Sequence, residues 1–140
     1  MAATGLTDGI YKAYAVDAEG NLSSASRNSV IVDNTAPTAN FTAATDDVGN
    51  FTGALTSGST TDDTALVLSG NNESGSSVKV YNGSTELGSA TVSGTSWHYS
   101  ATVANGTTYQ FNVKETDLAG NISDATVSYT HLTLPTILRV

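Results

Sequence analysis

The chain has 140 residues, with 13 Asp and Glu against 5 Lys and Arg, a formal net charge of −8 and no cysteine. Too few basic residues are available to neutralise phosphates, which argues against nucleic acid as a partner and against an anionic membrane surface. Without cysteine there are no disulfides and no thiolate metal sites. A small domain without disulfides calls for another staple, and a hard cation held by acidic loops is the natural one.

No apolar run is long enough to span a bilayer, so no membrane insertion is expected. The first residues, Met1 to Gly5, lack a basic region and an apolar core, and no signal peptide is read there. Ser, Thr, Gly, Asn and Ala dominate, a composition that on its own suggests disorder. Apolar residues nevertheless recur with period two in several short runs, which is the mark of half-buried strands.

Taken in order, residues 6 to 32 read as two strands around the loop Asp17-Ala18-Glu19-Gly20-Asn21, the second strand covering about Ser26 to Val32. Asp33-Asn34-Thr35-Ala36-Pro37 follows as a short, stiff connection, because Pro37 fixes its own φ and holds Ala36 extended. A strand is expected from Thr38 to about Ala44, then a turn at Asp46-Asp47-Val48-Gly49-Asn50. Ala65 to Ser69 reads as a strand buried on both faces. Val78 and Val80 alternate with polar neighbours before Asn82-Gly83, a strong hairpin signal. A strand from Thr85 to Val92 is interrupted by Gly88, a candidate bulge. Trp97, Tyr99 and Ala101 share one face of the next strand, with His98 facing solvent. Tyr109, Phe111 and Val113 share a face of the following one, before the loop Asp117-Leu118-Ala119-Gly120-Asn121.

No segment carries a 3.6-residue apolar period, so helix should be near absent. About seven short strands separated by Gly, Asn and Asp turns indicate an all-β, antiparallel immunoglobulin-like sandwich. The expected core is Trp97, Tyr109, Phe111, Leu66, Leu68, Val78, Val80 and Val113.

The loop Asp17 to Ser23 recurs as Asp117 to Ser123, one hundred residues later. That spacing is one sandwich, so the sequence reads as part of a tandem array. Residues 1–32 are expected to be the last two strands of a preceding domain of the same type. Residues 33–37 are then the linker, 38–126 the complete domain and 127–140 a tail of different origin. A lone hairpin is at best marginally stable, so residues 1–32 should be weakly anchored.

The motifs Asp33-Asn34-Thr35-Ala36-Pro37, Thr45-Asp46-Asp47-Val48-Gly49, Thr61-Asp62-Asp63-Thr64, Ser69-Gly70 with Glu73-Ser74-Gly75, and Thr116-Asp117 with Gly120-Asn121 together resemble the bacterial Ig-like repeats of giant surface adhesins. These are the repeat-in-extender and biofilm-associated proteins exported by type I secretion. The resemblance covers roughly Gly5 to Thr126. It implies an extracellular, cell-surface repeat without catalytic machinery, whose partners are neighbouring Ig-like repeats and whose junctions are stiffened by Ca²⁺. The last residues, Val127 to Thr136, instead resemble a one-frame translation of a transposase sequencing adapter. The native sequence is therefore expected to stop near Thr126, although Val127 to Thr130 alternate acceptably for a strand.

Calcium takes six to eight oxygen ligands from carboxylates, carbonyls and water. In an Ig-like sandwich the loops holding Glu73 and Asp117 lie at the end where the linker arrives. Asp33, Glu73 and Asp117 are thus one candidate Ca²⁺ set, with Asn34 and Asn121 as carbonyl donors. The same residues also read as turn formers, Asp33 capping a turn, Asp117 making an Asx-turn and Glu73 solvated. Asp46, Asp47, Asp62 and Asp63 form a second candidate set, because paired carboxylates repel unless water or a cation intervenes; their alternative is solvated surface turns. No catalytic set is read: the carboxylates sit in turn motifs and histidine is represented only by His98 and His131.

The function expected is that of a calcium-stiffened structural repeat in a bacterial adhesin that supports adhesion and biofilm formation. The alternative is an Ig-like accessory or carbohydrate-binding module of a secreted polysaccharide-active enzyme.

Overall fold

The computed structural model describes residues 4–133, with residues 127–133 described by their backbone alone. The chain divides into two compact units between Thr35 and Ala36. Among the described residues no helix occurs, and every strand pairing is antiparallel.

The second unit is a two-sheet sandwich. One sheet has the order β11-β10-β6-β7, built from β6 (Ser77–Asn82), β7 (Thr85–Ser89), β10 (Thr108–Thr116) and β11 (Thr126–Thr133). The other has the order β4-β3-β5-β9-β8, built from β3 (Asn40–Asp46), β4 (Gly53–Ala54), β5 (Ala65–Asn71), β8 (Thr91–Ser93) and β9 (Ser96–Thr102). The sequence suggests about seven strands; the difference lies in the short edge pieces β4 and β8.

Alternation fixes which side chains fill the space between the sheets. Leu66, Leu68, Val80, Phe111 and Val113 are fully buried, with Val78, Trp97 and Ala101 nearly so. Each of the larger side chains contributes roughly 1.5–3 kcal/mol through its burial. Trp97 also meets Phe41 edge to face, with ring centroids 5.5 Å apart, and donates its indole N–H to the Asn40 carbonyl at 3.0 Å. Gly70 is required opposite this indole, because a Cβ there would run into the Asn40 carbonyl and the Trp97 ring.

Several sequence expectations need correction. β5 is buried on one face only: Val67 is 38% exposed and Ala65 is exposed, because the outer face of the five-stranded sheet is bare. Tyr109 is half-buried at the strand end, stacked on Phe111 with its hydroxyl accepting the Ala104 N–H at 2.8 Å. The expected strand from Thr85 to Val92 is two strands in different sheets. Gly88 makes the anticipated bulge against Val80, and the chain crosses over at Ala90. The first strand of the unit runs on to Asp46, so that residue ends a strand rather than starting a turn.

β11 pairs with β10 from Thr126↔Val113 to Thr133↔Thr108, so residues 127–133 do occupy the last strand. Leu134 to Thr136, also part of the adapter-like stretch, lie outside the described residues.

The first unit is a hairpin of β1 (Gly9–Tyr11) and β2 (Val30–Val32), each shorter than the sequence suggests. Between them the chain is held by the hydroxyl oxygens of Ser26 and Ser23, which accept the N–H groups of Ala13 and Ala15 respectively. Ile10, Val16, Leu22, Val30 and Ile31 are each more than half exposed.

Candidate cation sites in the loops

The register of the strands gathers the loops at two ends of the sandwich. Thr116 faces Ser77, so the loop after β5 and the loop after β10 lie together at one end. Asp46 ends β3 where β5 begins, so the loops on either side of β4 lie at the other.

At the first end, Asp117 closes its own loop. Its Oδ1 accepts the N–H groups of Ala119 at 2.8 Å and Asn121 at 2.9 Å, and its Oδ2 accepts the Asn121 side-chain amide at 2.8 Å. Desolvation pushes the Asp117 carboxyl up, but hydrogen bonds from the Asn121 side chain and from the Asn121, Ala119 and Gly120 backbone outweigh it and hold it below the ordinary value. The Asx-turn anticipated as an alternative is therefore present. Glu73 has an exposed side chain, while its backbone carbonyl accepts from Ser76 and Asn72.

Asp33 and Asn34 belong to the first unit. Asp33 Oδ1 accepts the Thr35 N–H at 3.0 Å, a local turn bond. Asn34 donates its backbone N–H and side-chain amide to Asp8 Oδ1 at 2.8 and 2.9 Å, and the Thr35 hydroxyl donates to Asp8 Oδ2. The Thr35 hydroxyl first, then the Asn34 groups, hold the Asp8 carboxyl low.

The loops that carry the second candidate set, Asp46, Asp47, Asp62 and Asp63, lie at the far end of the sandwich. Asp46 and Asp63 are both buried, at 2% exposure, which corrects the reading of these residues as solvated turns. Asp46 accepts from the Val48 N–H at 2.9 Å and the Thr61 hydroxyl at 2.5 Å. Asp63 accepts from the Ala65 N–H at 2.7 Å and the Asp47 N–H at 3.3 Å. Asp62 lies over the turn at Gly49, where a Cβ would meet its carboxylate; Asp47 is exposed. These bonds pin the start of β5 to the end of β3. Phe51, 89% exposed, stands beside an open cleft of about 220 Å³ lined by Asp46, Thr60, Thr61 and Asp62.

A third cluster escaped the sequence reading. Glu115 is fully buried, its Oε1 accepting the Glu73 N–H and the Ser76 hydroxyl, each at 2.5 Å. Asn72, 7% exposed, donates to the Glu73 carbonyl at 2.7 Å and to Ser76 Oγ at 3.2 Å. The signal was available: Glu115 continues the inward face set by Phe111 and Val113. Among the described residues, no three His, Cys, Asp or Glu side chains converge as a group able to hold a metal.

Two stacked antiparallel sheets with loops closed by their own carboxylates define an immunoglobulin-like sandwich. The family model for the bacterial Ig-like domain matches residues 35–133, more than half of the chain, and the chain belongs to that family. Domains of this family are generally non-catalytic. Compared with curated proteins and with solved structures, the chain has no significant match.

Proposed function

We propose that the chain is a structural extender repeat of a bacterial cell-surface adhesin. In this reading residues 1–32 are the end of a preceding repeat, and calcium at the junction stiffens the array that presents a distant adhesive tip, in support of adhesion and biofilm formation. Type I secretion and an extracellular location follow from the same reading.

The observation that carries the proposal is a repeat kept at the level of single bonds. The bridge Val16↔Leu22 recurs as Thr116↔Ile122. The Ser23 N–H to Ala15 carbonyl bond recurs as Ser123 to Glu115. The Asp17 carboxylate closes its loop through Glu19 and Asn21 as Asp117 does through Ala119 and Asn121. Such a match across one hundred residues supports a tandem array.

For the junction, Asp33, Glu73 and Asp117 supply carboxylates, and Asn34 and Asn121 carbonyl oxygens. Asp46, Asp47, Asp62 and Asp63 supply a second calcium set at the end of the sandwich where β11 finishes. A carboxylate oxygen has lone pairs beyond those its N–H partners use, so turn formation and calcium ligation are compatible. Affinities of about 10⁻⁴ to 10⁻³ M suit extracellular modules. The test is a calcium titration followed by melting temperature, which should rise in the wild type and rise less in Asp33→Ala; no rise in the wild type ends the calcium reading. The non-native origin of residues 127–140 belongs to this proposal, and the sequence of the parent locus tests it.

Phe51 favours a second reading, a carbohydrate-binding module of a secreted polysaccharide-active enzyme. A bare aromatic ring beside Asp and Thr side chains is the chemistry that grips a sugar. A glycan array with wild type and Phe51→Ala decides it: loss of a specific signal in the variant supports this reading, and no signal in either removes it.

A further inference from the structure

The interior cluster at Glu115 is short of donors. The Ser76 hydroxyl has one proton and two acceptors, the Glu73 carbonyl at 2.8 Å and Glu115 Oε1 at 2.5 Å. The Asn72 amide has two protons and three acceptors, Glu73 O, Ser76 Oγ and Gly94 O. Two further oxygens, Glu115 Oε2 and Asn72 Oδ1, are buried with no partner at all. Buried polar atoms are ordinarily satisfied, and a buried carboxylate ordinarily has a counter-charge. The basic side chains of the same sheet are engaged elsewhere: Lys79 binds Glu86 at 2.9 Å and Lys114 lies over the Tyr81 ring.

The loop does not need this carboxylate. Ala15 stands at the equivalent place in the first unit, where its N–H donates to Ser23 Oγ as the Glu115 N–H donates to Ser123 Oγ, at 2.9 Å in both. The side chain of Glu115 is thus an addition to a loop that closes without it.

We propose that Glu115 Oε2 and Asn72 Oδ1 form the seat of a divalent-cation site inside the second unit, with the exposed Glu73 carboxylate on the same loop as its outer ligand. Both orphaned atoms are hard oxygen donors, one charged, which is the donor type calcium prefers. Water would supply donors to such oxygens but leave the carboxylate charge uncompensated. The inference rests on the calcium reading for the ion it names, and not on the junction residue Asp33.

The experiment is thermal unfolding of the full chain in EGTA and in calcium, followed by Trp97, the only tryptophan. Trp97 is buried in the second unit and reports its unfolding. A tenfold excess of calcium over its Kd should raise the transition by about 5 °C or more. Part of the shift should persist in Asp33→Ala, and that part should be lost in Glu115→Gln. Should Glu115→Gln not fold, Asn72→Asp adds a second carboxylate at the seat and should tighten calcium at least tenfold; unchanged or weaker binding overturns the proposal. A shift kept in Glu115→Gln but lost in Asp33→Ala sinks the seat and leaves the junction standing. No shift in the wild type sinks both.

Discussion

The loops Asp17–Asn21 and Asp117–Asn121 are chemically the same object in two settings. Each carboxylate gathers two backbone N–H groups and one asparagine amide, with the same partners one hundred residues apart. In the second unit the loop joins strands whose inner face is sealed, with Phe111 and Val113 fully buried. In the first it joins strands that leave Ile10 and Ile31 more than 70% exposed. A turn motif therefore determines its own geometry, while the stability of what it connects comes from the sheet packed behind it.

The sharpest way to break this comparison is at the core of the second unit. Gly70→Ala forces a Cβ into the Asn40 carbonyl and the Trp97 indole, so the second unit should fail to fold; Trp97 fluorescence and near-ultraviolet dichroism report it directly. Leu68→Ala, at a fully buried position, should cost about 2–5 kcal/mol in denaturant unfolding. Ile31→Ala, at 72% exposure, should change stability by no more than about 0.5 kcal/mol. Equal losses at the two positions would show that the first unit has a packed core of its own.

A smaller effect is expected at the loops. Asp117→Ala should lower the melting temperature reported by Trp97, and Asp17→Ala should leave that transition unmoved, since the two loops serve different units. The smallest effect is acid sensitivity. The Asp8, Asp17 and Asp117 carboxyls are held below their ordinary value of 3.8. A depressed carboxyl stabilises the fold fully above its unfolded pKa, and that contribution fades as pH falls through the folded one. Between pH 7 and 5 these groups should leave the melting temperature flat; below about pH 4 the loss should set in, and Asp117→Asn should flatten it in the second unit. A slope centred near pH 6 would assign the effect to other groups.

Much of the fold was legible because strand periodicity and turn chemistry agree in this chain. Trp97, Phe111, Val78 and Val80 lie inward as their alternation requires, and Asn82-Gly83 makes its hairpin with Gly83 at φ 59°. What the pattern hid was polar burial. Asp46, Asp63 and Glu115 read as solvent-facing by residue type, yet each sits where the local alternation or strand register turns it inward. Hydrogen bonds across fifteen or more residues, such as Thr61 to Asp46 and Glu73 to Glu115, hold these side chains in place, and such partners are invisible to a local reading. Sheet switching at Ala90 was hidden for a similar reason, since Thr85 to Val92 has one continuous strand pattern whichever sheet each half joins.

The most direct test of the calcium-stiffened repeat is small-angle scattering from the full chain, wild type and Asp33→Ala, in EGTA and in millimolar calcium. The account predicts that calcium narrows the wild-type distance distribution to that of two units held in one orientation, with little change in the variant. Superimposable wild-type curves with and without calcium would contradict it.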